Sequence, residues 1–253
     1  MGRWKHLTLY ALGEYIILQV MLVAAILYWP NFEANVDKLR ALAAPIPSLA
    51  ELIDHIEDAG VLGYIAGQHF FKGCNTLGTA AAVLFAVGAV AGEAHRGTLE
   101  MLLARPYSRL RILSERYFAG LVALCVPIFA SSLTIPALAE QIGEVELLAP
   151  YLWGSVHQSI FLAAIYSATF FFSCIGNNPT RIAIVVIFIT TLQFAIYMIK
   201  VVTHYSFYRL ADIEVFVNIA DKNGLDLVIC GPLFLVSALF FGASVYAFQR
   251  RLP

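Results

Sequence analysis

The chain has 253 residues, of which 60% are hydrophobic and 13% charged, and its formal net charge at pH 7 is −1. A soluble domain of this length cannot bury that much apolar side chain, so the composition excludes an ordinary globular protein and makes the bilayer the solvent for most of the surface. The near-neutral total says nothing about partners; the placement of the charges does.

A helix crosses the hydrocarbon core with roughly 20 apolar residues. Six stretches approach that length: 10–28, 70–91, 118–138, 154–175, 182–199 and 227–248. Their unbroken runs of Leu, Ile, Val, Phe and Ala predict helices and not the alternating strands of a membrane barrel. The predicted fold is an all-α polytopic membrane protein, one transmembrane domain over residues 1–253.

In chain order, the N-terminus mixes Trp4, Leu7 and Tyr10 with Arg3, Lys5 and His6. That pattern fits a short interfacial helix, or a basic flank with a Trp anchor. Span 10–28 is longer than a signal core and runs into Tyr28-Trp29-Pro30 with no small-residue cleavage site, so it reads as a retained first span. Glu14 lies inside it, about a turn from one end. A carboxylate at that depth either pairs with a base or serves transport.

The loop 30–69 is broken by Pro45 and Pro47. Ser48 and Glu51 then form a capping box. Leu49, Leu52, Ile53 and Ile56 follow at helical spacing, with Glu51, Asp54, Glu57 and Asp58 on the other face and Gly60 as the expected stop. This acidic amphipathic helix would pack on the span ends or cover an exit gate, with His55 facing solvent. At the end of the second span, Gly88 and Gly92 form a small-x-x-x-small face suited to close helix approach.

The segment 93–116, EAHRGTLEMLLARPYSRLRILSER, is the polar interruption between spans two and three. Gly97 or Thr98 can start a short helix with Leu99, Leu102 and Leu103 on one side. Arg105-Pro106 ends it, because proline disfavours helical geometry in the residue before it. Ser108 can cap the next helix, whose Leu110, Leu113 and Tyr117 share a face and which runs on into the third span. The product is a helix–break–helix elbow with an apolar side and an arginine-rich side.

Pro127, Pro136 and Pro232 should kink spans three and six. His157, Gln158 and Gln193 would line a polar path or bond neighbouring helices. Loop 200–226 carries Tyr205, Phe207, Tyr208 and Phe216 among charges, as an interface belt would. Cys74, Cys125, Cys174 and Cys230 are scattered through the spans with no metal-knuckle or disulfide spacing.

Six spans place both ends on one side. With the ends inside, ten of the sixteen Lys and Arg residues fall in inner segments: Arg3, Lys5, Arg96, Arg105, Arg109, Arg111, Arg116, Arg181, Arg250 and Arg251. That satisfies the positive-inside rule, making 93–116 cytoplasmic and 30–69 and 200–226 outer loops.

The elbow resembles the signature of ABC-transporter permeases of the type-2 exporter class. An acid closing the second span, G-T-L-E-x-L-L-x-x-P-x-S-R and a basic helix leading into the third are met here by Glu93, Gly97-Thr98-Leu99-Glu100, Leu102-Leu103, Pro106, Ser108-Arg109 and Glu115-Arg116. Within that class the chain is similar to permeases associated with maturation of multicopper enzymes, and the resemblance implies short helices dipping back toward the outer leaflet over 200–226 as an alternative to the interface belt. The resemblance implies a non-catalytic subunit of an exporter in a bacterial or archaeal cytoplasmic membrane. It would pair with a second permease, a copy or a related chain, and with two separate ATPase subunits that bind ATP and Mg. By motif position the elbow is the coupling element, 97–109 bracketed by Glu93 and Arg116. Leu99, Leu102 and Leu103 would be packing anchors, and Arg105 and Arg109 a charged rim. The chain itself has no G-x-x-x-x-G-K-[ST] phosphate loop. A gradient-driven transporter, and a permease-like scaffold powering a periplasmic machine, remain as alternatives.

Overall fold

The computed structural model describes residues 2–104 and 106–251, with the side chains of residues 2–4 and of Ser48 outside the description. Arg105, the expected Ser48 cap and the Arg3 and Trp4 side chains therefore lie outside the described residues. The described chain is all-helical, and six of its helices are long and apolar enough to cross a membrane.

Helix α1 (Gly2–Glu33) is continuous. The separate interfacial helix expected at the N-terminus does not form, because nothing between Lys5 and Tyr10 breaks helical geometry and the first turns simply extend the span. Helices α2 (Val36–Ala43) and α3 (Pro47–Ile65) follow, with Pro47 in the first turn, where its missing N–H leaves no bond unmade. Ile53 and Ile56 are buried and the acidic face is exposed, as the amphipathic pattern requires. Arg40 on α2 binds Asp54 (2.8 Å) and Glu57 on α3.

Gly60 bends the chain and does not end the helix. Its φ of 63° and ψ of −146° suit glycine alone, but the apolar run from Val61 restarts helix at once. The span then winds as a π-helix over Ala66–Gly78 and returns to α-geometry in α4 (Thr79–Val87). After it come α5 (Ala91–His95), α6 (Leu99–Leu103), α7 (Arg109–Ser132), α8 (Ile135–Ala139), α9 (Leu148–Ile175), α10 (Pro179–Tyr197), α11 (Ile213–Lys222) and α12 (Leu227–Arg250). Pro127 and Pro232 lie inside α7 and α12. Pro136 sits in the first turn of α8, and the third span, Arg109–Ile142, is interrupted at 133–134, just ahead of the proline ring.

Helix α9 is the hub, packed on α4, α7 and α12, while α1 lies along α7 and the π-helix. Lipid tails are as apolar as Leu, so helices in a membrane associate through close van der Waals fit and buried polar bonds. The fit is made where glycine removes a side chain. A Cβ on Gly120 would stand 2.3 Å from the Tyr166 hydroxyl, on Gly78 2.4 Å from Leu162 Cδ1, and on Gly154 2.9 Å from the Phe70 ring. Gly88 and Gly92 do not play that part. Their nearest neighbours are carbonyls of residues 84, 85 and 87 and the Arg96 side chain, because the helix breaks at 88–90 and presents no face there. Only 11% of the most apolar stretch of α10 is buried within the chain, against 72% for the 49–87 helix, so α10 stands at the rim.

Candidate functional site

The elbow is built by three local devices. Helix α5 ends in a Schellman motif: the N–H of Gly97 reaches the Ala94 carbonyl (3.1 Å) and that of Thr98 the Glu93 carbonyl (3.0 Å). Gly97 holds φ at 67° with open space around it, so backbone conformation and not crowding requires glycine. Helix α6 then runs from Leu99 to Leu103, and Ser108 caps α7 by accepting from the Arg111 N–H (3.2 Å).

Glu93 is the electrostatic centre. Its side chain is 14% exposed and accepts from the Thr98 hydroxyl and from both Arg116 terminal nitrogens (3.2 and 3.3 Å), with Arg96 3.3 Å away. Burial pushes its carboxyl up. The Thr98 hydrogen bond and the Arg116 and Arg96 charges outweigh that and hold it below the ordinary value of 4.5. Arg116 Nη1 also donates to the Ala89 carbonyl in the broken segment. The Ser173 hydroxyl on α9 accepts from Val90 N (3.3 Å) and Ala91 N (2.9 Å) and donates to the Val87 carbonyl (3.3 Å). Ser173 and Arg116 thus give partners to backbone groups of Val87, Ala89, Val90 and Ala91 in the break between α4 and α5.

Two arginines close helix ends. Arg109 Nη1 donates to the carbonyls of Phe248 (3.3 Å), Gln249 (2.9 Å) and Arg251 (2.7 Å) at the end of α12. Arg251 donates to the carbonyls of Ser173 (3.2 Å), Cys174 and Gly176 (3.0 Å) and to Asn177 Oδ1 at the end of α9. A cation at a helix C-terminus meets both orphan carbonyls and the negative end of the dipole.

This geometry redistributes the expected roles. Leu99 and Leu102 are 5% and 6% exposed, packed into the chain's own core, and Leu103 is partly buried against it. Arg109 is spent on α12. Arg105 lies outside the described residues. The exposed tip is Glu100, Met101, Pro106, Tyr107 and Leu110, with Arg111 stacked 4.7 Å over the Tyr107 ring. Met101 and Tyr107 were hidden in the sequence because the apolar face of so short a helix has two directions to point, and the hydrophobic pattern does not choose between them. Arg251 and Ser173 were also missed; Arg251 read only as a basic flank.

The intramembrane polar residues separate into two groups. His157 Nε2 donates to the Leu210 carbonyl (2.8 Å) and Gln158 to Asn75 Oδ1 (2.7 Å), whose amide donates to the Ala211 carbonyl (3.1 Å). Gln193 accepts from Phe207 N (3.2 Å). All three hold the segment 207–211, which dips roughly 14 Å along α9 from its start, counted at 1.5 Å per residue to His157. Glu14 stands apart. It is 7% exposed, and neither carboxylate oxygen has a hydrogen-bond partner among the described residues. Cys74 on the π-helix and Cys125 on α7 lie within its electrostatic reach. His69, near Cys74, bonds Ser132 Oγ (3.1 Å), which accepts from Ser155 (2.9 Å). His55 is half-buried, in a charged cleft of about 220 Å³ with Lys200, Arg209, Asp212 and Glu214.

The geometry is that of a stiff, charged elbow joined to the ends of membrane helices. No curated protein matches the chain. The profile of the ABC-2 family transporter proteins matches residues 12–250, nearly the whole sequence and every span as well as the elbow, and the chain belongs to that family.

Proposed function

We propose that the chain is the permease subunit of an ATP-driven exporter, coupled through the elbow to a separate ATPase. Family membership makes it a multi-pass membrane component of an ABC transporter, working with an ABC ATPase. The observation that carries the finer reading is the elbow tip: Met101, Tyr107 and Leu110 are 67%, 52% and 48% exposed on a segment whose base is locked by Glu93, Thr98 and Arg116. Exposed Met and Tyr beside Arg111 are the residue types that anchor an interface, and a locked base lets a push on the tip travel instead of dissipating. ATP and Mg would be bound by the partner. By the positive-inside rule the arginines of the elbow and the α12 end support that side as cytoplasmic; the membrane we propose is a bacterial or archaeal inner membrane. Two permeases and two ATPases would make the complete machine, exporting cargo or moving a periplasmic apparatus.

A second reading, a carrier run by an ion gradient, draws on Glu14, whose unpartnered carboxyl is the kind of group proton relays use. Purification of the tagged chain from native membrane in mild detergent separates the two. A stoichiometric ATPase supports the proposal. A clean oligomer of this chain without one overturns it in favour of the carrier.

A further inference from the structure

The bonds around the elbow close on themselves. The broken segment at 87–93 is held to α9 by Ser173 and to α7 by Arg116; α7 is held to the end of α12 by Arg109; and the end of α12 is held to the end of α9 by Arg251. Each link is a side chain on one element filling backbone groups at the end of the next; the Ser173 bonds are buried and most of those from Arg109, Arg116 and Arg251 part-buried, so slipping a link strips these groups of their partners. Among the described side chains, the circuit is made by residues of α7, α9 and the end of α12, and none of α1 or α10. At the elbow end α1 faces α4 across a cavity of about 610 Å³, with Leu7 and Tyr10 on one wall and Leu84, Phe85 and Gly88 on the other, bridged by a stacked contact between the Tyr10 and Phe85 rings (centroids 6.5 Å apart). Further attachments lie along the helix, where Gln19 bonds Thr134 (2.9 Å) and where Trp29 and Phe32 pack on Tyr64 with ring centroids 5.1 and 4.8 Å away.

From this arrangement we infer that Arg251, with Arg109, Ser173 and Arg116, is a positioning residue that makes the elbow ends of α4, α7, α9 and α12 one mechanical body. A displacement of the elbow reaches α9 and α12 directly through that body, and α1 is the helix it moves against. The inference rests on the elbow being the docking element. Arg251 is the link best suited to test, because it lies off the exposed tip and its fork reaches three carbonyls and one amide oxygen. A lysine ammonium has the charge but not the planar fork, so Arg251→Lys keeps the electrostatics and loses the geometry.

The test uses the full complex in nanodiscs, with spin labels read by double electron–electron resonance in the absence of nucleotide and with nucleotide trapped. Label pairs at the elbow ends of α7 and α12, and of α9 and α12, should give narrow distances that nucleotide leaves unchanged. A pair from α1 to α7 at the same end should shift. Pairs at the far ends of α9 and α12, measured against α1, should also shift with nucleotide, and Arg251→Ala and Arg251→Lys should both lose that shift while ATPase co-purification and hydrolysis persist. A nucleotide-driven change within the α7–α12 or α9–α12 pair overturns the inference, as does a far-end shift retained in both variants. The wild-type distances decide the matter even where Arg251→Ala fails to assemble. Absence of any co-purifying ATPase overturns the proposed function instead; narrow distances in the isolated wild-type chain, broadened by Arg251→Lys, still support the circuit, and distances that stay equally narrow in the variant overturn it.

Discussion

At Gly97 the chain needs a left-handed residue, and a Cβ there is disfavoured by about 1–2 kcal/mol. Gly97→Ala should therefore loosen the Schellman closure by that amount, read as faster amide exchange at Thr98. Glu93 carries a sign that can be checked. Its carboxyl is held below the ordinary value, so its contribution to the elbow is complete above pH 4.5 and is lost as pH falls through the depressed value. Glu93→Gln should flatten that dependence, measured with a fluorophore at the tip. The leucines bear on partner binding in the opposite sense to the one the motif invites. Because Leu102 is buried, Leu102→Asp should unfold the elbow, whereas Met101→Asp and Tyr107→Ala should leave it folded and weaken ATPase co-purification about tenfold or more, roughly 1.4 kcal/mol each.

Among the elements, the segment 207–222 shows how a loop becomes part of a membrane bundle. His157, Asn75 and Gln193 bind its backbone, and Asp212 caps α11 by accepting from Val215 N (3.1 Å). Burial pushes the Asp212 carboxyl up to about 6, more than the cap and the nearby Arg209 and His55 lower it. A raised acid favours the folded segment while it is protonated, so stability should fall as pH rises from 3.8 to about 6 and level off above. Asp212→Asn keeps a capping oxygen and should remove the slope, followed by proteolysis of the segment. Much at this scale was legible from the sequence. Six apolar helices, the Ser108 cap and the break after α6 follow from composition and turn chemistry. The π-helix was not legible, because it depends on what packs against the span: Ile213 and Leu162 crowd Gly67 and Gly78, and hydrophobic periodicity carries no record of those neighbours. At Gly60 the interruption was legible and only the immediate restart of helix was not. The same holds for Arg109, whose partners lie about 140 residues away.

On the scale of the molecule, the 49–87 helix, packed on the hub α9, is the most buried axis of the bundle and α10 its rim, and Glu14 is buried with no hydrogen-bond partner among the described residues. Glu14→Gln preserves shape and removes the ionisable group. Transport should fall while assembly with the ATPase is unchanged, and full transport would make Glu14 a packing residue. The π-turns of the same axis have a consequence of their own. A helix wound i→i+5 holds more residues per turn than one wound i→i+4, so it covers less distance with the same chain. Rewound as α-helix, the thirteen residues of Ala66–Gly78 would extend to about 20 Å, at 1.5 Å each. Span two therefore stores length: wound as α-helix throughout, the same chain would reach further across the bilayer than it does in this structure.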